Sequence, residues 1–267
     1  MIKVLMYHSI VEKKPSSKYQ KFFSVHASDF RKHLELLDKW GFTAITFKDY
    51  LLICEGKLNS PKRPIILTFD DGSLDNYQIA FPLLREFGMK AVFFVLADKT
   101  IKSNTWETGH GNPMIQLMDP YQILDIHTAG FEIGSHSLTH PKLPKISHTT
   151  AYNEISRSRM LLEILINAPV LSFAYPYGLL NDTIKQIVID TGYSIGCAVY
   201  TGPASFGTDL FEIRRIPIPG TLSGLGFSAR VLTPYEYVCW MNWKTKQILV
   251  RKNEKIMPTI RNLTNAE

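Results

Sequence analysis

The chain has 267 residues, 45% of them hydrophobic and 20% charged, with 16 Gly and 15 Pro. It is therefore sized for one large domain or two small ones, and a disordered chain, a collagen repeat and a disulfide-stapled miniprotein are excluded. The formal charge is +6, and half of that excess lies in segment 231–267, where six Lys and Arg face three Glu.

Along the chain, short apolar runs alternate with stretches of helical period. Predicted strands are Lys3–Tyr7, Thr43–Thr46, Ile65–Phe69, Ala91–Val95, Glu132–Gly134, Val170–Ala174, Ser194–Ala198 and Glu212–Ile218. Ser28 and Asp29 cap a predicted helix whose Phe30, Leu34 and Leu37 share a face and which Gly41 ends. Asn76–Phe87 reads the same way with Gly88 as its stop, and Tyr121–Thr128, Thr149–Ile166 and Asp182–Thr191 complete the alternation. Such a pattern predicts an α/β fold on a mainly parallel sheet. So many strands without a linker point to one domain over 1–267, built as a closed or nearly closed β/α barrel.

The least regular stretches, Val11–Phe23 and Lys99–Pro113, each follow a strand, where barrel enzymes carry their working groups. With Thr201–Leu210 they are the loops expected to set specificity. Trp106 reads equally as a stacking face for a sugar ring or as a rim side chain packed on the barrel. The basic segment 231–267 reads as a solvated face: no helix-turn-helix, zinc-finger or RNA-recognition signature accompanies it, and no nucleic-acid partner is expected. Cys54, Cys197 and Cys239 are odd in number and far apart, which excludes a complete disulfide framework. No run of about 18 apolar residues predicts a transmembrane segment. No export signal precedes Lys3–Tyr7, so the default location is the cytoplasm, or outside it if a signal has been removed.

Chemistry concentrates at strand ends. The apolar run Ile65–Phe69 delivers two adjacent carboxylates, Asp70 and Asp71, and then Gly72. Adjacent side chains diverge, so one carboxylate can bind a cation while the other takes a proton from water bound to it. Standing alone, Asp-Asp-Gly would be a solvated turn capping the next helix. After another apolar strand, however, His136 and His140 stand four residues apart, and on one helical turn both would point at the same ion. Asp71, His136 and His140 would leave coordination positions open for water and a substrate oxygen, which suits hydrolysis. Phe173–Gly178 ends a strand in a proline-fixed turn whose amides could meet an oxyanion or simply form a turn. Tyr7-His8 ends the first strand, where the imidazole is either a general acid or a hydrogen-bonded neighbour.

These motifs resemble the polysaccharide deacetylase family, carbohydrate esterase family 4, over most of the chain. Thr68-Phe69-Asp70-Asp71-Gly72 is similar to that family's first motif and His136-Ser137-Leu138-Thr139-His140 to its second. The resemblance implies a distorted (β/α)7-type barrel in which Asp70 is the general base and Asp71, His136 and His140 hold a divalent metal. That metal is usually zinc, with cobalt, nickel or iron compatible. Tyr177 falls in the third motif, where its backbone N–H would meet the oxyanion. Ala174 stands where many members carry an arginine that orients the base, so Arg214 or Arg215 must supply that contact. No histidine follows His148, so the usual C-terminal acid is missing. The opening Lys-Val-Leu-Met-Tyr-His resembles the circularly permuted biofilm branch of the family, which makes His8 the candidate acid. The implied reaction is hydrolysis of the N-acetyl amide of an acetylated amino sugar or glycan, releasing acetate. Two other readings stay open: a non-haem iron oxygenase built on the same two histidines and carboxylate, and a sugar-binding barrel without turnover.

Overall fold

The computed structural model describes residues 2–14, 17–107, 114–199, 206, 208–242 and 245. In chain order the first elements are β1 (Lys3–Tyr7), β2 (Ser9–Val11), α1 (Lys18–Phe23), β3 (Ser24–His26), α2 (Ala27–Lys39), β4 (Thr43–Ala44) and α3 (Phe47–Cys54). The middle of the chain forms β5 (Pro64–Phe69), α4 (Phe81–Glu86), β6 (Val92–Val95), α5 (Pro120–Thr128), β7 (Glu132–Ser135) and α6 (His148–Ile166). Then follow β8 (Ser172–Ala174), α7 (Asp182–Asp190), β9 (Ile195–Cys197), β10 (Ile216–Pro217) and α8 (Gly224–Leu232).

All strand pairs are parallel, in the order β10-β1-β5-β6-β7-β8-β9, with β4 added beside the start of β5. The sheet curls into a distorted (β/α)7-type barrel. Among the described residues, β9 meets the segment before β10 through the Cys197 to Ile213 bridge, with backbone hydrogen bonds from Gly196 to Leu210, Ala198 to Ile213 and Ile213 to Gly196. The N-terminal strand β1 lies between the last strand and β5, so the first and last strands are neighbours in the sheet. Parallel strands covered by helices are apolar on both faces. On β5, Ile65, Leu67 and Phe69 join the helix-facing core, while Ile66 joins Val92 and Phe94 on the other face. The same two-residue alternation turns Thr68 and then Asp70 inward.

Several elements differ from the sequence expectation for local reasons. Thr43–Thr46 pairs only at Thr43 and Ala44, because Thr46 caps α3, a helix absent from the expected set. The Thr46 hydroxyl accepts from the Asp49 N–H, and the Asp49 carboxylate accepts in return from the Thr46 N–H. The cap of α2 is His26, not Ser28: its ring nitrogen accepts from the Ser28 N–H. Asn76–Phe87 is divided into a π-helical turn, Asn76–Ala80, and α4, with Pro82 in the first turn of the latter. Val11–Phe23 is only partly a loop. Ser17 and Gln20 form a capping box that starts α1, and β2 and β3 pair on either side of it. Glu212–Ile218 narrows to a two-residue strand. Most of Thr201–Leu210, and residues 246–267 of the basic segment, lie outside the described residues. Among the described residues no helix is long and apolar enough to cross a membrane.

Helix α8 closes over α2 through His33, which is buried and stacks on Phe227 with ring centroids 4.0 Å apart. Burial pushes the His33 pKa down to about 4, below its unfolded value of about 6.5. Neutral His33 therefore contributes its full stability above about pH 6.5, and that contribution is lost as pH falls through about 4. Urea unfolding of the wild type should lose stability more steeply than His33→Leu over this interval; equal slopes would show that the packing of His33 carries no such penalty.

Candidate active site

At the end of β5 the ladder runs one residue further, the Asp70 N–H donating to the Tyr7 carbonyl at 3.0 Å. Asp71 and Gly72 then both take positive φ, 73° and 71°, and reverse the chain. Glycine is required at the second of these: a Cβ there would meet Val95 at 3.1 Å. Asp70 stays on the inward face and Asp71 swings toward the end of β7.

There His136 continues the β6–β7 ladder, its N–H donating to the Val95 carbonyl at 2.9 Å. Its Nδ1–H donates to the Ala174 carbonyl at 2.8 Å, which turns Nε2 toward Asp71. The expected helical turn from His136 to His140 does not form. Ser137 and His140 are left-handed, with φ 66° and 65°, and the loop is folded by side-chain acceptors instead. The Ser137 hydroxyl accepts from the His140 N–H at 3.0 Å. On α6, the buried Glu154 carboxylate accepts from Leu138 N–H, Thr139 N–H and the Thr139 hydroxyl at 3.0, 2.9 and 2.7 Å. An irregular loop thus brings both rings to one point, as the helical spacing was expected to do.

Asp71 Oδ1 lies 3.3 Å from His136 Nε2 and 3.5 Å from His140 Nε2, and the three ligand atoms fall within 4.8 Å of one another. Two ligands each about 2.0–2.1 Å from a tetrahedral zinc stand about 3.3 Å apart, so the spacing of this set fits a divalent transition metal. Burial pushes the His140 pKa down, and the neighbouring His136 adds to the effect, to about 3; its imidazole is neutral with a lone pair to offer. Burial opposes ionisation of Asp71, but His136, His140 and His8 outweigh it and hold the carboxyl well below the usual range. His136 is raised despite its burial, by the hydrogen bond to Asp71 and the charges of Asp70 and Asp71.

Asp70 is met by Arg215 and not by Arg214. Arg215 Nη1 and Nη2 donate to the two carboxylate oxygens at 2.6 and 2.7 Å. Its Nε–H donates to the Ala198 carbonyl at 2.9 Å. Arg214 points elsewhere and pairs with Glu212 at 3.2 Å, because neighbouring residues on an extended segment face opposite ways. Burial raises the Asp70 pKa, yet Arg215 and the nearby imidazoles overcome it and keep the group ionised.

These side chains open on a cavity of about 200 Å³ that His8 and Tyr177 also line. His8 packs edge-on against Phe23 of α1, centroids 5.0 Å apart. Tyr177 sits in the turn after β8 at φ 57°, its ring against His140 at 4.5 Å. Trp106 stacks on the other side of His140, also at 4.5 Å, so it packs against a candidate metal ligand. Four further wall residues escaped the sequence reading: Tyr19 and Phe22 of α1, Glu107 and Val199. The Ser17–Gln20 capping box followed by aromatics was the available signal for the first two. A larger cavity of about 470 Å³ lies between α3 and the start of β7. Its carboxylates are already satisfied: Asp49 by Lys90 and Glu132 by Ser172.

Residues 57–196 match the family model described as Polysaccharide deacetylase. The poly-beta-1,6-N-acetyl-D-glucosamine N-deacetylase of Staphylococcus aureus (strain MSSA476) is 26% identical over 209 residues, which covers 76% of this chain and 70% of that protein. Among solved structures, the Streptococcus pyogenes deacetylase PplD in complex with acetate superposes with a TM-score of 0.74 at 26% identity, covering 86% of this chain and 97% of that one. The polysaccharide deacetylase BC0361 from Bacillus cereus shares the fold, with a TM-score of 0.70 at 24% identity over 86% of this chain and 68% of that one. The matched span takes in the loops after β5, β7 and β8, and leaves His8 and Arg215 to the flanking segments. With over half of its length in that match, the chain belongs to the polysaccharide deacetylase family.

Proposed function

We propose that the protein is a metal-dependent N-deacetylase of acetylated amino-sugar polysaccharides, releasing acetate and leaving a free amine. The observation that carries this reading is the convergence of Asp71, His136 and His140 within 4.8 Å, beside a carboxylate clamped by its own arginine. Asp71, His136 and His140 would hold a divalent cation; the donor set suits zinc, with cobalt, nickel or iron compatible. When bound it supplies Lewis acidity toward the acetyl carbonyl and a more acidic water. Asp70, kept ionised and fixed through both oxygens by Arg215, takes the proton from the attacking water. The Tyr177 backbone N–H donates to the oxyanion as the carbonyl becomes tetrahedral. His8 gives its proton to the departing nitrogen, which leaves as an amine and not as an amide anion.

An oxygenase would use the two histidines and Asp71 but has no task for Asp70 and its buried arginine. A barrel that only binds sugar has no need of a buried, arginine-clamped carboxylate beside a metal-spaced Asp-His-His set. Strands from Lys3 to Pro217 share one sheet, which supports reading that span as a single domain. The substrate class follows the relatives: an N-acetylhexosamine polymer.

Acetate release from N-acetylglucosamine oligomers tests this reading directly. Chelator treatment should abolish it and zinc or cobalt should restore it; turnover that survives complete metal removal would refute the mechanism. Asp70→Asn should keep its metal while acetate release falls by about 10²- to 10⁴-fold, whereas His136→Ala should lose the metal as measured by elemental analysis. Removing the guanidinium in Arg215→Met strands a buried carboxylate and should cost about 3–5 kcal/mol of stability; a urea midpoint equal to the wild type would show that Asp70 does not depend on Arg215.

A further inference from the structure

His8 is a single residue between β1 and β2, and the chain is gripped on both sides of it by one loop. On the N-terminal side, the Tyr7 carbonyl accepts the Asp70 N–H at 3.0 Å. On the C-terminal side, both oxygens of the Asp75 carboxylate are occupied: Oδ2 accepts from the Ser9 hydroxyl and Oδ1 from the Ile10 N–H at 3.1 Å. Asp70, Asp71 and Asp75 all belong to the loop that follows β5. The strand that Asp75 grips, β2, is outside the barrel ladder and pairs with β3. The spacing between His8 and Asp70 is therefore set by contacts from one six-residue stretch, Asp70–Asp75, on either side of His8.

We infer that Asp75 is a positioning residue for His8, its carboxylate clasping Ser9 and Ile10 so that the imidazole is held at a fixed distance from the base and the ligand carboxylate. This rests on the reading of His8 as the proton donor given above. The role is geometric and asks for two acceptor or donor positions, not for a charge. Asparagine at 75 meets it, with its carbonyl oxygen accepting the Ile10 N–H and its amide donating to the Ser9 oxygen. Alanine at 75 provides neither and leaves β2 to its pairing with β3.

The test separates proton donation from the rest of catalysis by changing the leaving group. An N-acetyl amide can depart only as a protonated amine, whereas 4-nitrophenyl acetate loses 4-nitrophenolate without help from an acid. Asp75→Ala, Asp75→Asn and His8→Ala are assayed on an N-acetylglucosamine oligomer and on 4-nitrophenyl acetate, with bound zinc and urea midpoints measured for each. Asp75→Ala should lose about 10- to 100-fold in kcat on the amide and less than about threefold on the aryl ester, with zinc content intact. Asp75→Asn should stay within about threefold of the wild type on both. Equal losses of Asp75→Ala on the two substrates, no loss on either, or Asp75→Asn as poor as alanine would each overturn the inference. If Asp75→Ala does not fold, Ser9→Ala removes one half of the clasp and must show the same split in weaker form. His8→Ala separates the two levels. A split there without one in the Asp75 variants removes this inference alone; no split at His8 removes the acid assignment and the inference with it.

Discussion

Two charges meet in the interior of this barrel, and neither could be there without the other. Arg215 and Asp70 are 0% and 1% exposed, and an isolated ion at either place would carry a desolvation penalty of several kcal/mol. Paired through two parallel hydrogen bonds, with the spare donors given to Ala198 and Thr68, the guanidinium and carboxylate satisfy each other. The pair also crosses β1, joining the end of β5 to the approach to β10, close to the seam where Cys197 of β9 bridges Ile213. Structural closure and the ionised state of the candidate base thus depend on the same contact. Arg215 reaches Asp70 from the segment before β10, so this contact does not call for an arginine at Ala174.

Around this pair the backbone is bent out of its ordinary minima. Among the described residues five non-glycines have positive φ, and four of them, Asp71, Ser137, His140 and Tyr177, line or shape the site. Such conformations are held at about 1–3 kcal/mol each and persist only where surrounding contacts over-determine them. Here those contacts are visible. Glu154 collects three donors from the loop between the histidines, and the Ala174 carbonyl orients the His136 ring. The fifth, Asn167, ends α6 and belongs to a helix cap. Strain is concentrated where side chains must converge and is nearly absent elsewhere in the described backbone.

A shared device holds the working groups in place. Glu154 and Asp75 take no part in the proposed proton transfers, yet each accepts hydrogen bonds from two consecutive residues next to a candidate catalytic or ligand histidine. Carboxylates suit this work because two oxygens can receive several donors at once. The rim loops add the substrate-facing wall: α1 brings Tyr19, Phe22 and Phe23 to the cavity opposite Glu107 and Tyr177. The helix is short and has no buried residue of its own, so its position comes from the capping box at Ser17 and the β2–β3 pair that brackets it.

Much of this was legible in the order of the residues. Contiguous motifs carry their chemistry locally: a strand that ends in Asp70-Asp71-Gly72 must turn there, and two histidines four apart after another apolar strand must lie near each other. The α/β alternation was equally plain, because buried parallel strands and amphipathic helices differ in period. Helix α3 was not legible because its N-cap, Thr46, is also the last residue of the predicted strand, nor was the His136–His140 loop, because spacing alone does not distinguish a helical turn from a loop folded by Ser137 and Glu154. Only the tertiary structure decided between Arg214 and Arg215, since the two differ by one position and the choice depends on which face of the segment looks inward. It alone brought His8 to the cavity and Arg215 to a carboxylate 145 positions away. Such meetings depend on strand order and register, which are set by the packing of the whole barrel and not by any short run of residues.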